Sequence, residues 1–257
     1  MQKLFSLFSI FFLIINTYSQ VKYGNPEVNP TTIQSNFENW LHYQNSNIML
    51  SIDFVALDTS NNIISKDRFL NELTQGTTIP IKLQSNDAHC YYKLFNIEPT
   101  ADSNIKATMA QNAFEEYEHF KMEGELFPKF NFLDLNGTII SNETMKGKIV
   151  VIKCWYIHCP ACIKEFPSVN ALVKKYENRK DIIFISLAED TPDQLSAFLS
   201  KKPLSYLVIP NMKTYMNETL HLNSFPTHFI LNKQGRISKV LLNYESLEEA
   251  LKKEIEK

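Results

Sequence analysis

The sequence is poor in several features that mark common protein classes. Its 257 residues contain six glycines, no Gly/Ser-rich linker, no internal repeat and no low-complexity tract. Basic and acidic residues nearly balance, at 26 and 28, and no cluster of lysine or arginine suggests nucleic-acid binding. The 44% hydrophobic content supports a core and excludes a largely disordered chain. The length fits two domains, since a typical domain has roughly 100–150 residues.

Long hydrophobic runs are missing after the first twenty residues. Lys3 precedes an apolar stretch from Leu4 to Ile15, and small or polar residues follow up to Gln20. This pattern is typical of a secretory signal peptide, so we expect residues 1–19 to be one, cleaved after Ser19, and the protein to be periplasmic or otherwise exported. An uncleaved anchor is the alternative, although a spanning helix needs about 20 apolar residues. We expect no stable membrane span after cleavage.

Cysteine is scarce, and its four positions are Cys90, Cys154, Cys159 and Cys162. Four cysteines in a chain of this length do not form a disulfide scaffold. Outside the cytosol, a close pair is either a structural disulfide or a catalytic dithiol. A Cys-x-x-Cys is also half of a zinc site, but the second Cys or His pair is absent, so the sequence predicts no metal. It predicts no cofactor either.

Residues 20–120 predict a small mixed α+β module of unknown role, without a recognisable motif. Alternating β-formers and apolar residues at helical spacing define its elements. The predicted strands are residues 48–57, 79–83 and 90–97, and the predicted helices are residues 34–43, a short helix ended by Gly76, and residues 103–122.

Residues 121–257 alternate predicted strands and helices. An Asn136-Gly137 turn predicts a hairpin at the start of this region. The further predicted strands are residues 148–155, 181–187, 204–209, 229–231 and 237–242, and the predicted helices are residues 160–176, 192–199, 212–220 and 247–255. This order predicts an α/β domain with a mixed sheet.

Cys159-Pro160-Ala161-Cys162 follows a predicted buried strand and opens a predicted helix. Two cysteines separated by two residues can close a disulfide within one helical turn. At the helix N-terminus, unpaired N–H groups and the helix dipole favour a thiolate, so Cys159 is the predicted nucleophile. Cys162, more shielded, is the predicted resolving cysteine. Pro160 fits the first turn, where its missing N–H costs nothing.

A proline also precedes a predicted strand well downstream, in Ser224-Phe225-Pro226-Thr227. Proline is tolerated in a sheet chiefly at the start of a strand. Together with WYIHCPACIKEFP at Trp155–Pro167, this segment resembles exported thioredoxin-like proteins of the TlpA/ResA type. Further matches to that family are Phe127-Pro128-x-Phe130, Asn136-Gly137, Lys146-Gly147-Lys148 and Asn232-Lys233-Gln234-Gly235-Arg236-Ile237. They cover residues 120–257 in the family's order.

The resemblance implies a thioredoxin fold, a mixed central sheet flanked by helices, with a cis-Pro226 beside the dithiol. In such proteins the cis-proline loop receives the backbone of the substrate, so Trp155, Phe225 and Thr227 are expected to bind substrate. Relatives usually act as reductants that keep exported proteins in the thiol form, and they are themselves reduced by a membrane-borne thiol donor. The resemblance also makes Glu165, three residues after Cys162, a proton partner of the dithiol; the alternative is an exposed charge favoured by the helix dipole.

The sequence departs from these relatives at three positions near the dithiol. Lys153 lies in a predicted central strand, so it is either an acid–base partner of Cys162 or a lysine whose side chain reaches the surface. His158 is either a stabiliser of the Cys159 thiolate or a solvent-facing residue. Cys154 is predicted to be a buried core thiol, and a disulfide with Cys90 is the alternative.

These residues predict a thiol:disulfide oxidoreductase of the bacterial cell envelope, and two other functions compete. Peroxiredoxins share the superfamily, but their threonine three residues before the reactive cysteine is Tyr156 here. The three arginines, Arg68, Arg179 and Arg236, show no peroxide-site pattern. A client-binding module that only retained the fold is the other alternative, and the intact dithiol and Phe-Pro-Thr segment argue against it.

Overall fold

The computed structural model describes residues 23–257, so the predicted signal segment lies outside the described residues. The strands are β1 (Tyr23–Pro26), β2 (Val55–Leu57), β3 (Ile63–Ile64), β4 (Thr78–Ser85), β5 (Tyr91–Asn96), β6 (Asn131–Leu133), β7 (Ile139–Ser141), β8 (Ile149–Trp155), β9 (Ile182–Ala188), β10 (Leu207–Ile209), β11 (Thr227–Leu231) and β12 (Ile237–Leu241). The helices are α1 (Pro30–Ile33), α2 (Phe37–Asn47), α3 (Lys66–Thr74), α4 (Ser103–Met122), α5 (Asn142–Met145), α6 (Pro160–Lys164), α7 (Phe166–Lys175), α8 (Pro192–Leu199) and α9 (Tyr244–Ile255), with a π-helical segment at Tyr215–Thr219. Between residues 23 and 257 no helix combines the length and apolarity that crossing a membrane requires.

The N-terminal elements form a five-stranded sheet in the order β1-β4-β5-β2-β3, in which only the β2–β5 pair is parallel. Helices α2, α3 and α4 supply buried residues to its core, among them Trp40, Phe69 and Met109. Helix α3 begins where the Ser65 hydroxyl accepts a hydrogen bond from the N–H of Arg68, which satisfies one free donor of the first turn. The predicted helix 103–122 is confirmed.

The predicted strand 48–57 is mostly wrong, because only Val55–Leu57 pairs with other strands. The carbonyl groups of Ser51 and Ile52 accept hydrogen bonds from the Lys66 ammonium at 3.1 and 2.9 Å. A side chain therefore satisfies the backbone that a strand would have paired.

The C-terminal elements form a second five-stranded sheet in the order β10-β9-β8-β11-β12. Strands β8, β9 and β10 are parallel, and β11 is antiparallel to both β8 and β12. Every residue of β8 is buried, since both faces of the sheet are covered. This arrangement of parallel strands, a closing hairpin and helices on the sheet is the thioredoxin fold, so the predicted fold class is confirmed.

The helix predicted over residues 160–176 is interrupted. It divides into α6 and α7 at Glu165, just before Pro167. Proline has no N–H to donate to the preceding turn, so a break at this position is expected. Residues 212–220, predicted as a helix, contain the π-helical segment Tyr215–Thr219.

The two sheets have separate hydrophobic cores, and α4 lies against β12. An ion contact joins them: the Lys239 ammonium on β12 lies 2.7 Å from carboxylate oxygens of both the exposed Asp53 and the largely buried Glu123. The division into residues 20–120 and 121–257 stays a prediction; residue 120 falls in the last turn of α4.

Candidate active site

The Cys159–Cys162 pair lies where the parallel strands end. Strand β8 ends at Trp155, and Cys159 is the N-cap of α6. Ligands of α/β sheets commonly bind beyond the carboxyl ends of the strands. The two cysteines form a disulfide with their Cα atoms 5.3 Å apart, and the Cys159 side is the less enclosed, with 3% of the residue exposed against 0% for Cys162. Solvent access therefore favours attack by or on Cys159.

A backbone donor is directed at the Cys159 sulfur. The N–H of Cys162 donates a hydrogen bond to Sγ of Cys159 at 3.1 Å. Pro160 occupies the first helical position, as predicted, where it leaves no unpaired N–H. A donor in this place stabilises a negative charge on sulfur, which is the state a nucleophilic thiol must reach.

The loop before β11 contains a cis peptide bond between Phe225 and Pro226, as the resemblance implied. The Phe225 ring is half-buried and lies edge-on to the Tyr156 ring, with centroids 5.5 Å apart. Tyr156 in turn accepts a hydrogen bond at its carbonyl from the N–H of Cys159. Pro226 is thus connected to the disulfide through a short chain of contacts.

Two predicted substrate contacts are corrected by burial. Trp155 is fully buried, and its ring packs on Phe166 with centroids 5.0 Å apart, so it is a core residue. Thr227 is also fully buried, and its hydroxyl donates to the carbonyl of Ser224 at 2.6 Å. The Thr227 hydroxyl therefore holds the loop and is not available to a substrate.

Lys153 and Glu165 form a buried ion pair beneath the disulfide helix. The ammonium group of Lys153, which is 0% exposed, lies 2.6 Å from Oε2 of Glu165. Oε1 of Glu165 accepts a hydrogen bond from the N–H of Tyr244 at 2.9 Å. Lys153 therefore does not reach the surface, and Glu165 is not an exposed helix charge. Both interpretations are wrong because the partners bury each other.

His228 is a third member of this cluster. Its Nε2 lies 3.0 Å from Oε2 of Glu165, and because a carboxylate only accepts, Nε2 carries the proton. Within residues 23–257 its Nδ1 is buried without a hydrogen-bond partner. Sequence reasoning missed His228, although the β8–β11 register pairs it directly with Lys153. The available signal was a lysine in a fully buried strand, which requires polar partners on neighbouring elements.

Burial and the ion pair together set the charges in this cluster. Burial lowers the pKa of Lys153, and Glu165 offsets part of that effect. For Glu165 burial alone would raise the pKa, but the hydrogen bond from His228 and the charge of Lys153 outweigh it and lower the pKa. Burial also lowers the pKa of His228, which favours a neutral imidazole. The cluster is thus a lysine–glutamate ion pair with a neutral histidine donor.

The remaining predicted positions have plainer surroundings. His158 is exposed and lies at the mouth of a cleft of about 840 Å³ beside Pro160. Cys154 is a free, buried thiol as predicted, and burial raises its pKa. Cys90 is also free and packs in the N-terminal core, so it forms no disulfide with Cys154.

A Cys-x-x-Cys disulfide at the start of a helix, a cis-proline before β11 and this sheet order define the thioredoxin-fold class. Comparisons with known proteins agree. Residues 124–240 match the AhpC/TSA family. A thiol-disulfide oxidoreductase ResA from Bacillus cereus is 31% identical over 150 residues, which cover 57% of this chain and 86% of that protein. ResA from Bacillus subtilis is 26% identical over 120 residues, covering 46% and 66%.

The similar solved structures cover about half of this chain. A putative thiol:disulfide interchange protein DsbE from Chlorobium tepidum is 20% identical with a TM-score of 0.48, and covers 52% of this chain and 97% of that chain. StoA from Bacillus subtilis is 22% identical with a TM-score of 0.42, covering 48% and 96%. On the sequence match to ResA, the chain belongs to the thiol-disulfide oxidoreductases of the ResA type.

Proposed function

We propose that this protein reduces protein disulfides by exchange through the Cys159–Cys162 dithiol. The observation that carries the proposal is the Cys162 N–H directed at Sγ of Cys159, at the carboxyl end of the parallel strands. It supports Cys159 as the attacking thiolate, and the complete burial of Cys162 supports its role as the resolving thiol.

The reaction needs two exchange steps. The Cys159 thiolate attacks one sulfur of the client disulfide, forms a mixed disulfide and releases the other client sulfur as a thiolate. The Cys162 thiolate then attacks Sγ of Cys159, closes the Cys159–Cys162 disulfide and releases the second client thiol. Two electrons pass from the enzyme to the client. Pro226 and Phe225 border the place where the client backbone docks.

Glu165 and Lys153 act as the proton partners of this exchange. Cys162 must lose its proton before it attacks, and it is fully enclosed, so bulk water cannot serve as the base. Glu165 follows Cys162 by one helical turn, and Lys153 and His228 keep its carboxylate ionised. The imidazole of His158, exposed directly before Cys159, stabilises the Cys159 thiolate.

The same proposal includes the cell envelope as the location. The basic start and short apolar run of residues 1–19 support export, and no cofactor enters the reaction. The oxidised enzyme is then reduced by a membrane-borne thiol donor, and protein thiols and disulfides outside the cytosol are its clients.

A peroxidase of the peroxiredoxin type is disfavoured by where the arginines lie. Arg179 pairs with Asp181 before β9, at the end of the sheet opposite the disulfide. Arg236 bonds the carbonyl of Gly124 beyond the β11–β12 turn, and Arg68 pairs with Glu72 in the N-terminal module. No arginine is therefore available to orient a peroxide at Cys159.

Equilibration with defined thiol buffers, followed by trapping of free thiols, tests this function. We expect one two-electron transition with a potential near that of thioredoxin, about −270 mV. A potential near about −120 mV would mark an oxidant and overturn the reductive direction. A control assay with hydrogen peroxide should show no consumption beyond that of the Cys159→Ser variant.

A further inference from the structure

A groove of about 530 Å³ runs between α4 and the loop that leads to Pro226. Its lining includes Phe114, Glu115, Glu118 and His119 from the helix, and Leu220 and Ser224 from the loop. We propose that this groove binds the client segment next to the reactive disulfide, and that it selects an extended segment bearing an apolar and a basic side chain. The inference rests on the proposed oxidoreductase function and names the client chemistry for it.

The groove adjoins the loop that leads to the disulfide. Ser224 lines it and directly precedes the Phe225–Pro226 bond. Phe225 contacts Tyr156, and the Tyr156 carbonyl accepts the N–H of Cys159 at 3.2 Å. When the client sulfur reaches Cys159 along the Pro226 loop, the part of the client segment on one side of that sulfur therefore lies in the groove.

One wall of the groove offers an apolar contact. Phe114 is 59% exposed, one of the few large apolar side chains with such exposure among residues 23–257. The buried residues of α4 include Ile105, Met109 and Ala113, which face the core of the N-terminal sheet. Phe114 follows Ala113 and so turns away from that core toward the groove, where an apolar client side chain would cover it.

The charge of the groove is acidic. Glu115 and Glu118 line it, and none of its described lining residues is lysine or arginine. Glu118 forms an ion pair with Lys121, so the carboxylate of Glu115 supplies the charge that a client would meet. The cleft that His158 and Pro160 line is basic instead, with Lys164 and Lys202 in its lining. Acidic character is therefore specific to the α4 side, and it complements a basic client side chain.

Two buried polar atoms at the groove also lack partners. Oε1 of Glu115 and Nδ1 of His119 are buried and form no hydrogen bond within the described residues. His119 is 7% exposed, and burial lowers its pKa, so the neutral ring presents an acceptor or a donor according to its tautomer. A client that brings an ammonium or guanidinium group would supply the donors that these atoms lack.

The position of α4 is held by the C-terminal sheet. Glu123, directly after α4, lies 2.7 Å from the Lys239 ammonium on β12, and the N–H of Gly124 donates to the Ile237 carbonyl at 2.8 Å. The helix is thereby a fixed wall of the groove. The N-terminal module, which carries no motif of its own, would in this way contribute to client selection.

Peptides with a single cysteine capped by thionitrobenzoate test the inference. The Cys159 thiolate attacks the peptide sulfur and releases the coloured thionitrobenzoate anion; Cys162 then releases the peptide thiol. Two matched peptides carry phenylalanine and either lysine or glutamate on the same side of the cysteine. Each rate is divided by the rate of the same variant with dithiobis-nitrobenzoate, which has no peptide.

The reduced wild-type protein should prefer the basic peptide by about fivefold in kcat/KM, which corresponds to about 1 kcal/mol for one ion pair. Glu115→Gln should lower that preference to less than about twofold, and Glu115→Lys should reverse it. Phe114→Ser should instead lower the normalised kcat/KM of both peptides, because both carry the phenylalanine that Phe114 contacts. The matched controls Glu38→Gln and Ile139→Ser alter exposed residues outside the groove and should retain the wild-type preference.

Equal rates for the two peptides, an unchanged preference in the Glu115 variants, or an unchanged normalised kcat/KM of both peptides in Phe114→Ser would overturn the inference. Reaction with dithiobis-nitrobenzoate would then still leave the oxidoreductase function intact. A wild-type protein that releases no thionitrobenzoate from any substrate would overturn both. Size-exclusion chromatography provides one more test, since a dimer that Phe114→Ser dissociates would show that a second copy covers the groove and would also overturn the inference.

Discussion

Replacing Lys153 with methionine should destabilise the protein strongly, because it leaves a buried carboxylate without its cation. The Lys153 ammonium is 0% exposed and lies 2.6 Å from Glu165. Removing one partner of a buried ion pair costs about 3–5 kcal/mol of unfolding free energy. Glu165→Gln should cost a similar amount, since it leaves the buried Lys153 ammonium without a negative partner.

The double variant Lys153→Met, Glu165→Gln should recover most of that loss. It removes both charges and keeps a similar volume. The glutamine oxygen accepts from the N–H of Tyr244, and the glutamine N–H₂ donates to Nε2 of His228 in its other tautomer. Replacing a complete buried pair by neutral residues is often close to neutral, so we expect a double variant within about 1–2 kcal/mol of wild type. The coupling energy between the two positions should then be about 3 kcal/mol or more.

Urea unfolding of the four oxidised proteins at neutral pH measures these quantities. Strictly additive losses, or a loss of less than about 1 kcal/mol for Lys153→Met, would refute the buried-pair account. Titration of the cysteine thiols in the reduced variants adds a functional result. Profiles that do not differ from wild type would refute the acid–base role while leaving the structural role of the pair in place.

The stability of Lys153→Met should depend on pH with a definite sign. In the wild type the pKa of Glu165 is lowered, so its stabilisation is present above the pKa of an unfolded glutamate, about 4.3, and is lost as the pH falls through the folded value. Without Lys153, one of the effects that lower the Glu165 pKa is lost, so this carboxyl takes up its proton at a higher pH in the variant than in the wild type. The stability deficit of Lys153→Met should therefore shrink toward pH 5; a constant deficit would contradict this.

Further substitutions test individual contacts. Gly76→Ala should cost clearly more stability than Gly137→Ala, because both have positive φ but only at Gly76 would a Cβ lie 2.9 Å from the Lys106 carbonyl; equal losses in thermal melts would contradict the clash. Trp155→Phe should lower stability by about 1–3 kcal/mol without raising KM for a peptide disulfide, and a raised KM would restore it as a substrate contact. Lys239→Met should lower stability by about 1–3 kcal/mol in urea unfolding, because the largely buried Glu123 carboxylate loses this cation, and no loss would show that the contact is dispensable.

Local patterns predicted many elements well. The apolar spacing and end signals of residues 103–122 and 192–199 gave both helices correctly, and the Asn136-Gly137 turn forms a hairpin. In that hairpin a carboxylate oxygen of Asp134 accepts from the N–H groups of Asn136 and Thr138, and Gly137 has φ +79°. These features depend on residues within a few positions of one another, which is why the sequence reveals them.

The misses depend on partners distant in the chain. Ser51 and Ile52 do not form a strand because Lys66 binds their carbonyl groups. Lys153 is buried because Glu165 arrives from α6 and His228 from β11. Periodicity describes one element at a time, so it cannot show which side chains a sheet will bring together.

The prediction of the substrate contacts was limited in the same way. A resemblance in sequence suggested Trp155 and Thr227 beside Phe225, but strand alternation and a packed second layer bury the first two. The groove at α4 was likewise invisible, because its two walls come from residues 111–122 and 220–224 and meet only in the folded chain.

The central claim is that Cys159 attacks and Cys162 resolves, and trapping of the mixed disulfide tests it most directly. The reduced Cys162→Ser and Cys159→Ser variants are mixed with a disulfide-bonded client peptide and analysed by mass spectrometry after acid quenching. The account predicts a stable peptide adduct on Cys159 in the first variant and none in the second. An adduct on Cys162, or equal adducts in both variants, would contradict it.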